Sequence, residues 1–259
     1  MAKPIAARLI FLGFALWSMC GSRYIEAAPL VAIGIEMVPI PRSRPAEAEK
    51  RTLPEEPQAP ATSQCFLDLT SSGLAIAELL PPIAAHDGCG ADDVVRLSAV
   101  AIDKVNRVKL NPVPTLRCGL AIELSKWIRQ DLAADVLPLG ATLAEIQNDG
   151  SYDCRPRNNV AASGVSEHGR ANAIDVRSFR LTNGKRYELT DPNVSEPVRQ
   201  KLKASACARF TTVLGPGSDE YHENHIHLDL MERRNGFRLC QWDVRLPILA
   251  PSSPDAPAK

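Results

Sequence analysis

The chain predicts an α+β domain: a small antiparallel sheet flanked by helices and stapled by disulfides. Three observations predict it. Leu116, Leu120, Leu124, Trp127, Ile128 and Leu132 recur at three- and four-residue steps, the period of an amphipathic helix. Asn183-Gly184 sits between two runs of strand-forming residues, a strong hairpin signal. Strand-like segments then cluster towards the C-terminal end rather than alternating with helices, which favours α+β over α/β.

Taken in order, the first helix runs over 116–132, with Thr115 as its cap and Pro138-Leu-Gly140 as its end. Thr142 to Ile146 alternates like a strand. Ala173 to Leu181 and Lys185 to Leu189 form the arms of the hairpin. Ser195, with Pro197 just after it, opens a second helix through about Arg209. Thr211 to Leu214 reads as a strand, Gly215-Pro-Gly217 as a turn, and His225 to Leu230 as another strand.

The ends of the chain read differently. Met1 to Arg8 is short and basic, and an apolar run to Gly21 follows, which is the pattern of an export signal. Ser22 and Ala27 are candidate cleavage points and Cys20 a candidate lipid attachment point, so a membrane tether through the N-terminus stays open. The expected organisation is a signal peptide over 1–28, a proline-rich linker over 29–64, one domain over 65–246 and a flexible tail over 247–259. Thirty basic and thirty acidic residues give no net charge, so nothing in the composition suggests a nucleic-acid partner. Of seven cysteines, six lie in the domain, and an even number in an exported domain reads as three disulfides. Cys65–Cys89, Cys118–Cys154 and Cys207–Cys240 is the pairing expected here, out of 15 connectivities for six cysteines. No CxxC pair is present, so a cysteine metal site is not expected.

Three of five histidines, His222, His225 and His227, fall within six residues. On a strand, His225, His227 and Asp229 share one face while Ile226 and Leu228 share the other. Upstream, Ser166-Glu-His168 leads through a polar loop to Asp175, which lies between Ile174 and Val176. Two imidazoles and a carboxylate are the donor set of a catalytic zinc site, which keeps a fourth position open. His168, Asp175 and a histidine of the late His-x-His can supply that set for one Zn2+. If His225 is not itself a ligand, it is the candidate base or proton shuttle, with His222 and Glu223 in reserve. Arg155 or Arg157 would stabilise an oxyanion or grip a carboxylate, and Asp229 would fix a histidine tautomer.

Ser-x-His, an Asp seven residues after that His, and a late His-x-His resemble the LAS metallopeptidases, the lysostaphin, D-Ala-D-Ala peptidase and hedgehog group. More closely, 65–240 resembles the extensin-like C-terminal domain family of bacteria. The matching pieces are Gly88-Cys-Gly90, Leu116-Arg-Cys118, Tyr152-Asp-Cys-Arg155, Ser166-Glu-His168, Asn172-Ala-Ile-Asp175, Gly215-Pro-Gly217 and His222-Glu-Asn-His-Ile-His-Leu-Asp229. The resemblance implies a hedgehog-like or D-Ala-D-Ala-peptidase-like fold, zinc on His168, Asp175 and His227, His225 beside the reaction centre, and Arg155 on the substrate. It further implies a peptidase acting on the peptides of cell-wall peptidoglycan in the periplasm or cell envelope. Two positions depart from the LAS pattern: Ala171 stands where many members have glycine, and Asn224 where many have a catalytic Glu. The second departure leaves a non-catalytic zinc module that binds wall peptides as the alternative, with a zinc-stapled structural domain as the third reading.

Overall fold

The computed structural model describes residues 63–71, 73–84, 87–189 and 193–245. The expected signal peptide, the linker up to residue 62 and the tail lie outside the described residues. Ser63 is the first described residue, and its hydroxyl caps a short helix, α1 (Gln64–Thr70), by accepting from the Phe66 N–H. No helix among the described residues is long and apolar enough to cross a membrane.

The strands are β1 (Ala75–Leu79), β2 (Ile83–Ala84), β3 (Gly90–Ala91), β4 (Val94–Ala101), β5 (Arg107–Asn111), β6 (Thr115–Arg117), β7 (Leu143–Gly150), β8 (Ala173–Leu181), β9 (Arg186–Glu188), β10 (Thr212–Leu214), β11 (Ile226–Asp229) and β12 (Leu239–Gln241). Ten of them form one sheet in the order β1-β4-β5-β7-β8-β11-β10-β12, with β6 on β4 and β9 on β8; β2 and β3 pair separately. The domain is α+β as expected, but the sheet is larger than the small antiparallel one anticipated, and it is mixed. β5 runs parallel to β7, and β10 parallel to β12.

The amphipathic run lies partly in the sheet. Thr115 caps nothing; Thr115 to Arg117 pair with β4, and helix α2 (Cys118–Lys126) starts after them. Leu116 is fully buried in the same core as the helix, so the apolar period runs on through the strand. α2 continues into a π-helical segment over Trp127–Leu132 and one last turn, α3 (Ala133–Asp135). Gly140, at φ 95°, supports the turn that ends this stretch. The second expected helix is α4 (Glu196–Arg209), with Pro197 in its first turn. Trp127 meets Phe210 edge-on at 5.8 Å, and its indole N–H donates to Ser205 on α4. The helices and the inward residues of the sheet thus share one core, which includes Ile174, Val176, Ile226 and Leu228. Alternation along β8 and β11 turns Asp175 and His227 to the opposite face of the sheet.

Three disulfides tie the domain together. Cys207–Cys240 joins α4 to β12, as expected, with Cα atoms 5.7 Å apart. The other two pairs are exchanged relative to expectation: Cys65 bonds Cys118 and Cys89 bonds Cys154. α1 packs on α2, which brings Cys65 to the first residue of α2. The loop holding Cys89 packs instead against Gly169, where an added Cβ would meet the Cys89 sulfur at 2.9 Å.

Candidate metal centre

The loop carrying His168 is held by its own hydrogen bonds. Ser166 caps a 3-10 turn over Glu167–Arg170, its hydroxyl accepting from the His168 N–H. The turn closes at Ala171, whose φ of 52° is a left-handed conformation that favours glycine. The buried Glu167 carboxylate accepts from Arg170 and from the Asn172 amide at 2.9 and 2.6 Å, bridging the turn to the start of β8. His168 is thereby fixed above β8.

The sheet supplies the other two groups. Asp175 on β8 lies directly opposite His227 on β11, and on its other side opposite Gly150 of β7. Gly150 leaves needed room, since a Cβ there would come within 3.3 Å of Asp175 Oδ2 and 3.9 Å of the His168 ring. His168 Nε2 lies 3.1 Å from Asp175 Oδ2 and 3.2 Å from His227 Nδ1. His227 Nδ1 lies 2.9 Å from Asp175 Oδ1. One ligand atom from each of His168, Asp175 and His227 falls within 4.8 Å of the others, and all three residues are buried.

The outward ring nitrogens are committed elsewhere. His168 Nδ1–H donates to the Ser151 carbonyl at 2.6 Å, and His227 Nε2–H donates to Asp229 Oδ2 at 3.0 Å. In the neutral rings, the inward nitrogens are then lone pairs, facing each other and a carboxylate. Three acceptors converging in a buried space need a cation or extra protons between them. Without a cation, protons fill that place. Burial disfavours a charged His227, but Asp175 and Asp229, one on each ring nitrogen, outweigh it and raise its pKa to about 9. Burial likewise opposes a charged Asp175, yet hydrogen bonds from His168 and His227 hold it well below the usual carboxylate range. The donor set fits a borderline metal such as zinc.

The other expected residues gather around this cluster. His225 stands beside it rather than in it: its Nε2 is 3.6 Å from Asp175 Oδ1, and its Nδ1–H donates to Asn224 Oδ1 at 2.9 Å. Burial lowers its pKa, with Asp175 acting in the opposite sense. Arg155 pairs with Asp153 at 3.1 Å and brings Nη2 to 4.0 Å from Asp175 Oδ2. His222 is also brought in, its ring centroid 5.3 Å from that of His225 and 5.6 Å from that of His227. Glu223 is not; its carboxylate turns back to accept from the Gly217 N–H. Asp229 holds His227 as the alternation implied. The cluster forms the floor of a cleft of about 330 Å³, whose walls include Arg157, Asn158, Tyr221 and Arg233.

Sequence reasoning missed Asp219, whose Oδ1 lies 2.6 Å from His222 Nδ1. It also missed the Ser151 carbonyl. An aspartate three residues before a histidine in a loop carries no periodic signal, and a backbone acceptor carries none at all.

A disulfide-strapped α+β domain with a buried two-histidine, one-carboxylate cluster under an open cleft defines the class of protein. The chain matches the family model described as Extensin-like protein C-terminus over residues 63–241, and it belongs to that family. No curated protein and no solved structure matches it.

Proposed function

We propose that the chain is an exported zinc-dependent peptidase that hydrolyses peptide bonds in bacterial cell-wall peptidoglycan. The observation that carries this reading is the convergence of His168 Nε2, an Asp175 oxygen and His227 Nδ1, with the outer nitrogens of both rings already held by acceptors. That is a preformed set of three donors with its tautomers fixed, opening onto a cleft. Kinship with the LAS metallopeptidases, and with it a hedgehog-like arrangement, belongs to the same proposal and rests on the Ser-x-His, Asp and His-x-His pattern. Three disulfides fit an oxidising compartment such as the periplasm, in keeping with the signal-like N-terminus.

When bound, zinc would supply Lewis acidity, polarising a substrate carbonyl and making a water easier to deprotonate. His168, Asp175 and His227 would hold it. His225 would take the proton of the attacking water: its Nδ1–H is donated to Asn224, which leaves the Nε2 lone pair facing the cluster. Asn224, standing where related enzymes carry a glutamate, would thus set the tautomer of the base rather than act as one. Arg155 would stabilise negative charge developing on the carbonyl oxygen. His222, held by Asp219, would return a proton to the leaving amine.

The Asn224 substitution also favours a second reading, a zinc-containing module that binds wall peptides without cutting them. Digestion of purified peptidoglycan, with and without chelator, followed by mass analysis of the fragments, separates the two. New peptide termini that vanish on chelation and return with zinc support the peptidase. Intact peptides alongside retained binding to the wall support the module.

A further inference from the structure

One arginine of the cleft makes neither an ion pair nor a side-chain hydrogen bond among the described residues. Four carboxylates line the cleft, and each is engaged inside the fold: Glu167 by Arg170 and Asn172, Asp175 by the two histidines of the cluster, Asp219 by His222, and Asp229 by His227. Of the cleft's arginines, Arg155 is paired with Asp153, and Arg233 donates to the Thr211 carbonyl and the Thr212 hydroxyl. Arg157 is exposed, lines the same cleft, and makes no ion pair or side-chain hydrogen bond with any described residue.

The backbone places Arg157 with care. Residues 155–157 pair with 164–166 as a narrow antiparallel ribbon: the Arg157 N–H donates to the Gly164 carbonyl, the Ser166 N–H to the Arg155 carbonyl, and Pro156 bridges Val165. One arm is anchored by the Cys89–Cys154 disulfide, and the other runs directly into the turn bearing His168. Its tip carries three non-glycine residues at positive φ: Asn158, Asn159 and Ala162. Arg157 opens a 3-10 turn over Arg157–Asn159 directly after the extended Pro156, so it stands two residues beyond Arg155 along the chain and lines the same cleft.

We infer that Arg157 is a specificity residue that recognises a carboxylate of the bound peptide, one to two residues from the bond held over the cluster. This rests on the peptide-directed reading of the cleft given above and narrows it to acidic peptides, or to those with a nearby free C-terminus. A guanidinium offers the forked donor geometry that a carboxylate accepts. The two neighbouring asparagines, also in the cleft wall, offer amide donors and acceptors for the peptide backbone.

The test is calorimetric binding of two synthetic stem-type peptides to the full chain carrying zinc and His225→Ala, which suppresses turnover. One peptide has free carboxyls; the other has every carboxyl amidated. The free acid is expected to bind about 10-fold tighter or more, the range for a hydrogen-bonded charge. Arg157→Ala should bring the two affinities within about twofold by weakening only the acid, and Arg157→Lys should restore part of the difference. Equal binding by the parent, a preference that survives Arg157→Ala, or one abolished by Arg155→Ala alone would overturn the inference. Selective binding without cleavage of either peptide by the chain retaining His225 would refute the peptidase and leave this subsite standing. Cleavage of both peptides alike would do the reverse.

Discussion

At the residue scale, groups that would hold a cation differ from groups that would act beside it. His227→Ala should release zinc and abolish turnover together, because it removes one of three donors. His225→Ala should keep zinc while lowering the turnover number by roughly 10²–10⁴-fold, the usual contribution of a general base. Metal analysis of the two purified variants, alongside rate measurements, checks this. Gly150→Ala is a quieter probe: its Cβ would press on Asp175 Oδ2 from 3.3 Å, so zinc affinity should fall while the melting temperature hardly moves. The cluster was legible in part because strand alternation puts His227 and Asp229 on one face of β11, whereas His225 stands just before that strand, which begins at Ile226 rather than at His225 as expected. Asp219 and the Ser151 carbonyl were not, since they meet the histidines only through loops whose course the sequence does not encode in a period.

At the element scale, the hairpin around Asn183-Gly184, α4 and the strand bearing His227 follow from turn chemistry and alternation. The N-terminal half of the sheet was hidden for a physical reason. β4 is largely buried along its length, so it has no polar face to alternate with an apolar one. β6 was absorbed into the helix because Leu116 packs in the same core as α2. Disulfide partners were set by helix packing and by the Cys89 loop rather than by order along the chain, which is why two of the three pairs differ from expectation. The ribbon over 155–166 depends on the Cys89–Cys154 bond for its anchorage. Replacing both cysteines with alanine should therefore weaken peptide binding more than replacing Cys207 and Cys240, when the two double variants are compared by titration at a temperature where both are folded.

At the scale of the whole molecule, the cluster couples metal, protons and stability. In the cation-free protein the His227 pKa is raised from 6.5 to about 9. That shift contributes stability fully present below about pH 6.5 and lost as pH rises through about 9. Zinc competes with the same proton, so its affinity should increase over that range. The melting temperature of chelated protein should accordingly fall from pH 6.5 to 9, and the gap between loaded and chelated protein should widen. The core and three disulfides should keep the chelated chain folded throughout, as circular dichroism would record. Elemental analysis of the purified folded chain tests whether His168, Asp175 and His227 form a zinc site. About one zinc per chain is expected, retained in His225→Ala and lost in each of His168→Ala, Asp175→Ala and His227→Ala. A folded protein that takes up no zinc, or one that keeps it after all three ligands are replaced, would contradict that site.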